Sequence, residues 1–178
     1  MDDALYRAAL VYQTLLQKDY HVVAAYKTQR ISFTFYFMPH HFYHLVGFQK
    51  LLDRRNLTPP GLLYRKVLAR EITTESIAGS AFFDDMKARL QDFGQITEII
   101  DALKTGKIVI EFSQQRGTRI QADYLLYREQ ERAYAHLFLR SDCDGGYVPC
   151  SFFCREDDRY IRNNKKYRVQ EFSVKVHK

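Results

Sequence analysis

The chain has 178 residues, of which 46% are apolar and 15% aromatic, enough to bury a core and too apolar for a disordered segment. Lysine and arginine outnumber aspartate and glutamate 27 to 21, and four of the six excess charges fall after residue 154. That asymmetry favours an anionic partner, of which nucleic acid is the commonest.

The opening "MDDALYRAALVYQTLLQKDY" places acids first and has no unbroken apolar run, so neither a signal peptide nor a membrane span is expected, and the protein is expected in the cytoplasm. Leu5, Ala8, Ala9, Tyr12, Leu15 and Leu16 recur at helical spacing behind Asp2 and Asp3, which suit a cap. "YHVVAAYK" and "RISFTFYF" then read as a pair of strands, with Ile31, Phe33, Phe35 and Phe37 on one face of the second. Pro39 fits a first helical turn, so a single helix is expected from about residue 39 to about residue 53.

After the turn "NLTPPG" the chain reads as helical pieces: "GLLYRKVLAR", a segment capped by Thr73, "AFFDDMKARLQDF" behind Ser80, and "QITEIIDALK" ending toward Gly106. From Lys107 the period becomes two, in "KIVIEFS", "RIQADYLLY", "RAYAHLFLRS", "YVPCSFFCRE" and "YRVQEFSVKV", separated by "SQQRGT", "REQE" and "SDCDGG". The fold class is α+β: a helical N-terminal and middle portion packed on a C-terminal antiparallel sheet. We expect one domain over 1–178, with a helix and strand pair in 1–37, helices in 38–105 and the sheet in 106–178.

Three of the six histidines crowd into "FMPHHFYHLVGFQKLLDRR". On one helix, Phe42, Leu45, Val46, Leu51 and Leu52 would form an apolar stripe, leaving His41, His44, Gly47, Lys50 and Arg54 along another side. No glutamate directly follows any of these histidines, as the zinc-binding HExxH pattern requires, so no metal site is expected. Gly47 lowers helix propensity by about 0.8 to 1 kcal/mol, which is tolerated where something approaches the backbone closely. Imidazole at His44 could move a proton and ammonium at Lys50 could hold a phosphate. Cys143, Cys150 and Cys154 form neither a disulfide framework nor a zinc ribbon and read as reduced thiols.

"HFYHLVGFQKL" (41–51), "ADYLLY" (122–127), "AHLFLR" (135–140) and "VPCSFF" (148–153) together resemble the phage and mobile-element branch of the barnase, EndoU, colicin and RelE-like nucleases, class four. The resemblance implies a cytoplasmic, metal-independent endoribonuclease that uses no cofactor. It implies a toxin-like or phage-encoded effector acting on RNA, transfer RNA among the candidates, with an immunity or antitoxin protein as partner. His44 and Lys50 carry over as its motif residues, with Ser151 as a third.

In "RAYAHLFLRS", Ala133, Ala135, Leu137 and Leu139 form an apolar face, opposite Arg132, Tyr134, His136, Phe138 and Arg140. Such a ladder can stack bases and meet phosphates. In the next strand Tyr147, Pro149, Ser151, Phe153 and Arg155 share a face. The expected roles are proton transfer at His44, phosphate stabilisation by Lys50 and Arg140, and orientation of a phosphoryl oxygen by Ser151. His41, Arg54, His136, Tyr147, Tyr160 and Lys165 are expected to contact nucleic acid. The alternative is a non-catalytic nucleic-acid-binding or regulatory interaction module.

Overall fold

A computed structural model describes residues 3–114 and 118–177, leaving aside the side chain of Arg55. Asp2, Lys178 and part of the expected "SQQRGT" turn lie outside these residues. Helix α1 (Ala4–Gln13) starts at Asp3, whose Oδ1 accepts the Tyr6 N–H at 3.2 Å, and it buries Leu5, Ala8, Ala9 and Tyr12. The same carboxylate accepts the Thr74 hydroxyl at 2.6 Å, tying α1 to the short helix α4 (Thr74–Ala78). Strands β1 (Lys18–Tyr26) and β2 (Gln29–Tyr36) form a hairpin.

The expected helix over 39–53 is broken. A 3-10 turn at Pro39–His41 leads into one turn of α-helix, α2 (Phe42–Leu45), and two further 3-10 segments follow at Phe48–Lys50 and Leu52–Leu57. The break lies at Gly47, whose φ of +83° is left-handed and has no place inside a right-handed helix. His44 and Lys50 therefore do not share a helical face.

Helices α3 (Pro60–Leu68), α4, α5 (Phe83–Asp92) and α6 (Gln95–Leu103) follow. Thr73 caps α4 as expected, accepting the Ser76 N–H at 3.3 Å. Ser80 accepts the Phe82 N–H just ahead of α5, and left-handed Gly106 closes the segment after α6. Strands β3 (Ile108–Glu111), β4 (Tyr124–Glu129), β5 (Tyr134–Ser141), β6 (Tyr147–Arg155) and β7 (Lys165–Val176) complete the chain.

The architecture is α+β, as the sequence predicts. The structure adds that the N-terminal hairpin joins the same sheet, which closes as a barrel in the order β1-β2-β6-β5-β4-β3-β7. All neighbours are antiparallel except β2 and β6, which meet in parallel at one pair, Phe35 and Tyr147.

Two cores hold this sheet. The larger packs Val22, Phe33, Phe35, Leu126, Leu137 and Phe152 against the helices, with Tyr12 at the meeting point of Phe37, Phe42, Tyr64 and Phe93. The Tyr12 hydroxyl donates to the Met38 carbonyl at 2.7 Å, which fixes the exit of β2. The smaller core covers the other face of β3, β4 and β5 with Phe112, Ile120, Tyr160 and Ile161.

That second core overturns the expected open ladder on β5. Phe138 and His136 are both fully buried, and the imidazole packs in one cluster with the Phe138 and Phe153 rings, with Tyr160 edge-on at 5.7 Å. Neither ring nitrogen of His136 completes a hydrogen bond. Burial pushes His136 down to about 4, only partly offset by the backbone near Tyr134 and Phe153. His136 is thus a packing residue with no ring face open to a nucleic acid, and Tyr160, 8% exposed, packs edge-on against it.

Two outcomes follow for stability. Gly47→Ala places a methyl 2.9 Å from Arg89 Cδ in a left-handed turn, and urea unfolding should show a loss of about 1–3 kcal/mol. Because the folded value of His136 lies below the ordinary 6.5, the unfolded chain takes up the proton first, so stability present above pH 6.5 is lost as pH falls toward 4. Urea midpoints of His136→Phe should fall less steeply across that window than those of the unmodified protein, and equal slopes would assign the acid sensitivity elsewhere.

Candidate active site

The histidine-rich segment runs beside β6, its first turn near Val148 and its last near Ser151 and Phe153. At the start, the His41 Nδ1 accepts the Met38 N–H at 3.1 Å, a cap that turns the imidazole inward. Burial first, then repulsion from His40, Arg140 and His44, holds His41 at about 4. His41 edges the cleft formed with Tyr36, His40, Arg140 and Asp142, but its solvent exposure is only 8%. The expected nucleic-acid contact gives way to a structural cap.

Helix α2 buries Phe42, Tyr43 and Leu45 and leaves His44 exposed. Partial burial of its ring, then the charges of Arg140 and His40, hold the His44 imidazolium below the ordinary histidine value. Arg140 is exposed at the end of β5, so these two groups share one stretch of surface.

Beyond Gly47 the chain meets α5. A Cβ on Gly47 would stand 2.9 Å from Arg89 Cδ and 3.3 Å from Nε, so the absent side chain is what lets the arginine lie against this turn. The Arg89 guanidinium carbon sits 5.7 Å from the Phe153 ring centre, and Nη1 is buried with no hydrogen-bond partner. Burial lowers the Arg89 value, with Asp85 acting against it. Burial and the neighbouring Arg89 likewise lower Lys50. Lys50, Arg89, Ser151, Phe153 and Arg155 line one cleft of about 450 Å³, with Arg119 at its edge. Asp85 and Asp92 enter from α5.

Ser151 reaches this cleft because β6 is irregular. Phe138 pairs with Ser151 while Leu139 pairs with Pro149, which leaves Cys150 as a bulge residue. The Cys150 thiol lies 3.5 Å from the Phe138 carbonyl, and burial pushes it up to about 11, so it is no nucleophile at neutral pH. Cys154 is pushed up to about 12 by burial and the adjacent Asp92. Arg155 is held by Asp157 at 2.9 Å and lies over Tyr160.

The four residues expected in one catalytic centre thus divide: Lys50 and Ser151 line the Arg89 cleft, while His44 and Arg140 lie outside it, the Arg140 charge acting on His44. The remaining expected contacts are scattered. The Arg54 Nε is buried without a partner and its Nη2 would lie 3.5 Å from a Cβ on Gly79, so it faces the helical layer. Tyr147 is half-buried against Phe33 and Tyr124. Lys165 bonds Gln29 near the β1–β2 hairpin and stands 5.1 Å from the Tyr167 ring centre, away from both clefts. Tyr160 does touch the Lys50 cleft, as a wall.

Arg89, on α5, lines this cleft and was not among the residues expected at a site. Among the described residues, no three histidine, cysteine, aspartate or glutamate side chains gather at metal-binding distance, and no helix is long and apolar enough to cross a membrane.

Comparison with curated proteins and with solved structures gave no significant match. A family model does match, over residues 4–175, nearly the whole chain, and its description is phage-Barnase-EndoU-ColicinE5/D-RelE like nuclease 4. The chain therefore belongs to this nuclease-like family.

Proposed function

We propose that the protein is a metal-independent endoribonuclease that cleaves RNA by attack of the ribose 2′-hydroxyl on the adjacent phosphorus. The observation that carries this reading is His44: an exposed imidazole on which burial and the Arg140 charge act, kept neutral to lower pH than a free histidine. Neutral His44 accepts the 2′-hydroxyl proton as the new P–O bond forms. Arg140 meets the charge that gathers on the phosphoryl oxygens. The P–O5′ bond breaks, water protonates the departing 5′-oxygen, and His44 returns its proton to solvent. The products are a 2′,3′-cyclic phosphate and a 5′-hydroxyl. Lys50 and Ser151 hold the backbone in the neighbouring cleft. The family supports a nucleic-acid substrate; a toxin-like role in the cytoplasm, with an immunity or antitoxin protein as partner, belongs to the same proposal.

The test is cleavage of total cellular RNA in excess EDTA. The unmodified protein should leave 2′,3′-cyclic ends, and His44→Ala, folded by circular dichroism, should lose at least about 100-fold in rate. DNA of the same sequence should stay intact, and its cleavage would end the 2′-hydroxyl mechanism. Should a folded protein bind RNA without cutting it, the non-catalytic binding module takes this place.

The pH profile gives a second outcome. The acid limb of kcat/KM should lie below pH 6.5, since that is the side to which His44 is displaced. Arg140→Gln should bring the limb back up toward 6.5 as well as slow the reaction. An unmoved limb would separate the titrating group from His44.

A further inference from the structure

We propose that the Lys50 cleft is a subsite for a second backbone phosphate, next along the strand from the one cut beside His44, and that Arg89 is the residue that grips it. This rests on the reading of His44 as the proton-transfer group.

Three observations carry the inference. The first is separation. Lys50 follows His44 by six positions, across the left-handed turn at Gly47. Lys50, Arg89 and Ser151 line one cleft, and neither His44 nor Arg140 is on its lining. One phosphate between His44 and Arg140 therefore leaves the Lys50 cleft for another group.

The second is unmet hydrogen bonding. Arg89 Nη1 is buried with no partner, beside a second cation that shares its cleft. Asp85 only partly offsets the pairing of these two like charges, and a phosphate oxygen accepts from both at once. Ser151 supplies a hydroxyl in the same cleft. Arg155 is already engaged by Asp157, Arg119 is a further cation on the lining, and the Asp85 and Asp92 carboxylates limit how much negative charge the cleft accepts.

The third is construction. Arg89 lies against Gly47 because a Cβ there would stand 2.9 Å from its Cδ, and Phe153 supports the guanidinium from the sheet side. The cleft and the His44 surface are both walled by β6 and share the segment that runs beside it, which aligns them along a single strand of substrate. The ligand class is thus an oligonucleotide with at least two phosphates.

The experiment uses 2′-O-methyl dinucleotides, which cannot be cleaved by this chemistry, with a single internal phosphate or with an added phosphate at either the 5′ or the 3′ end. Binding to the full chain is followed by NMR titration at low salt. One of the two added phosphates should tighten binding to the unmodified protein by roughly tenfold. Arg89→Met should lose that gain and keep its affinity for the dinucleotide with one phosphate, and Arg89→Lys, which keeps the charge without the fork, should retain only part of it. If neither terminal phosphate tightens binding, or if the gain survives in Arg89→Met, the subsite is wrong. The first of those outcomes needs no variant, so a misfolded Arg89→Met leaves the proposal open to refutation. The two readings fail separately. RNA cleavage without any gain from a terminal phosphate removes the subsite alone, and an Arg89-dependent gain in a protein that cuts no RNA removes the proposed reaction alone.

Discussion

The contact between Gly47 and Arg89 decides the shape of everything reactive in this protein. A left-handed residue ends the helix that the surrounding apolar spacing would otherwise extend, and the space left by its missing side chain admits an arginine from a distant helix. Without the turn, His44 and Lys50 would lie on one continuous helix. With it, they look onto different surfaces, and Lys50 acquires a cationic neighbour that the local sequence does not supply.

Strand β6 is the common wall of this arrangement. Its bulge at Cys150 changes which side chains face which layer, sending the thiol toward the second core while Ser151 and Phe153 line the cleft. Both faces of β5 are buried beside it, one by helices and one by Phe112, Ile120, Tyr160 and Ile161. The polar edge is therefore confined to the strand ends and to the segment running along β6. His136 shows what this burial does to an ionisable group, since its ring is kept neutral as an aromatic packing unit.

Much of this was legible in the sequence, for reasons that individual residues make plain. Leu5, Ala8, Ala9 and Tyr12 announce α1, the Asp3 and Thr73 caps are local chemistry, and the period-two runs after Lys107 give strands close to those observed. Gly47 was legible as a site of close backbone approach. What approaches it was not, because Arg89 lies 42 positions away in a helix with an unremarkable charge pattern. Alternation on β5 sorted its side chains onto two faces correctly, yet could not say that both are covered. The cover comes from Ile120, in an expected strand that begins only at Tyr124, and from the turn around Tyr160. The single helix over 39–53 failed because apolar spacing records burial as readily as it records helix, and three short turns around a left-handed glycine bury the same residues.

The closure of the barrel carries its own consequence. Every other seam is a ladder of several antiparallel pairs, whereas β2 and β6 meet at Phe35 and Tyr147 alone. Side chains do the rest: the Tyr36 hydroxyl donates to Asp142, and its ring lies so close to Gly146 that a Cβ there would be 2.8 Å away. Asp142 is fixed in turn by the backbone N–H groups of Asp144 and Gly146. A seam fastened by a clasp instead of a weave has the fewest backbone bonds to break in any local opening. It runs directly into Met38 and the first histidines, so the barrel's thinnest backbone pairing and the proposed proton-transfer segment are neighbours by construction.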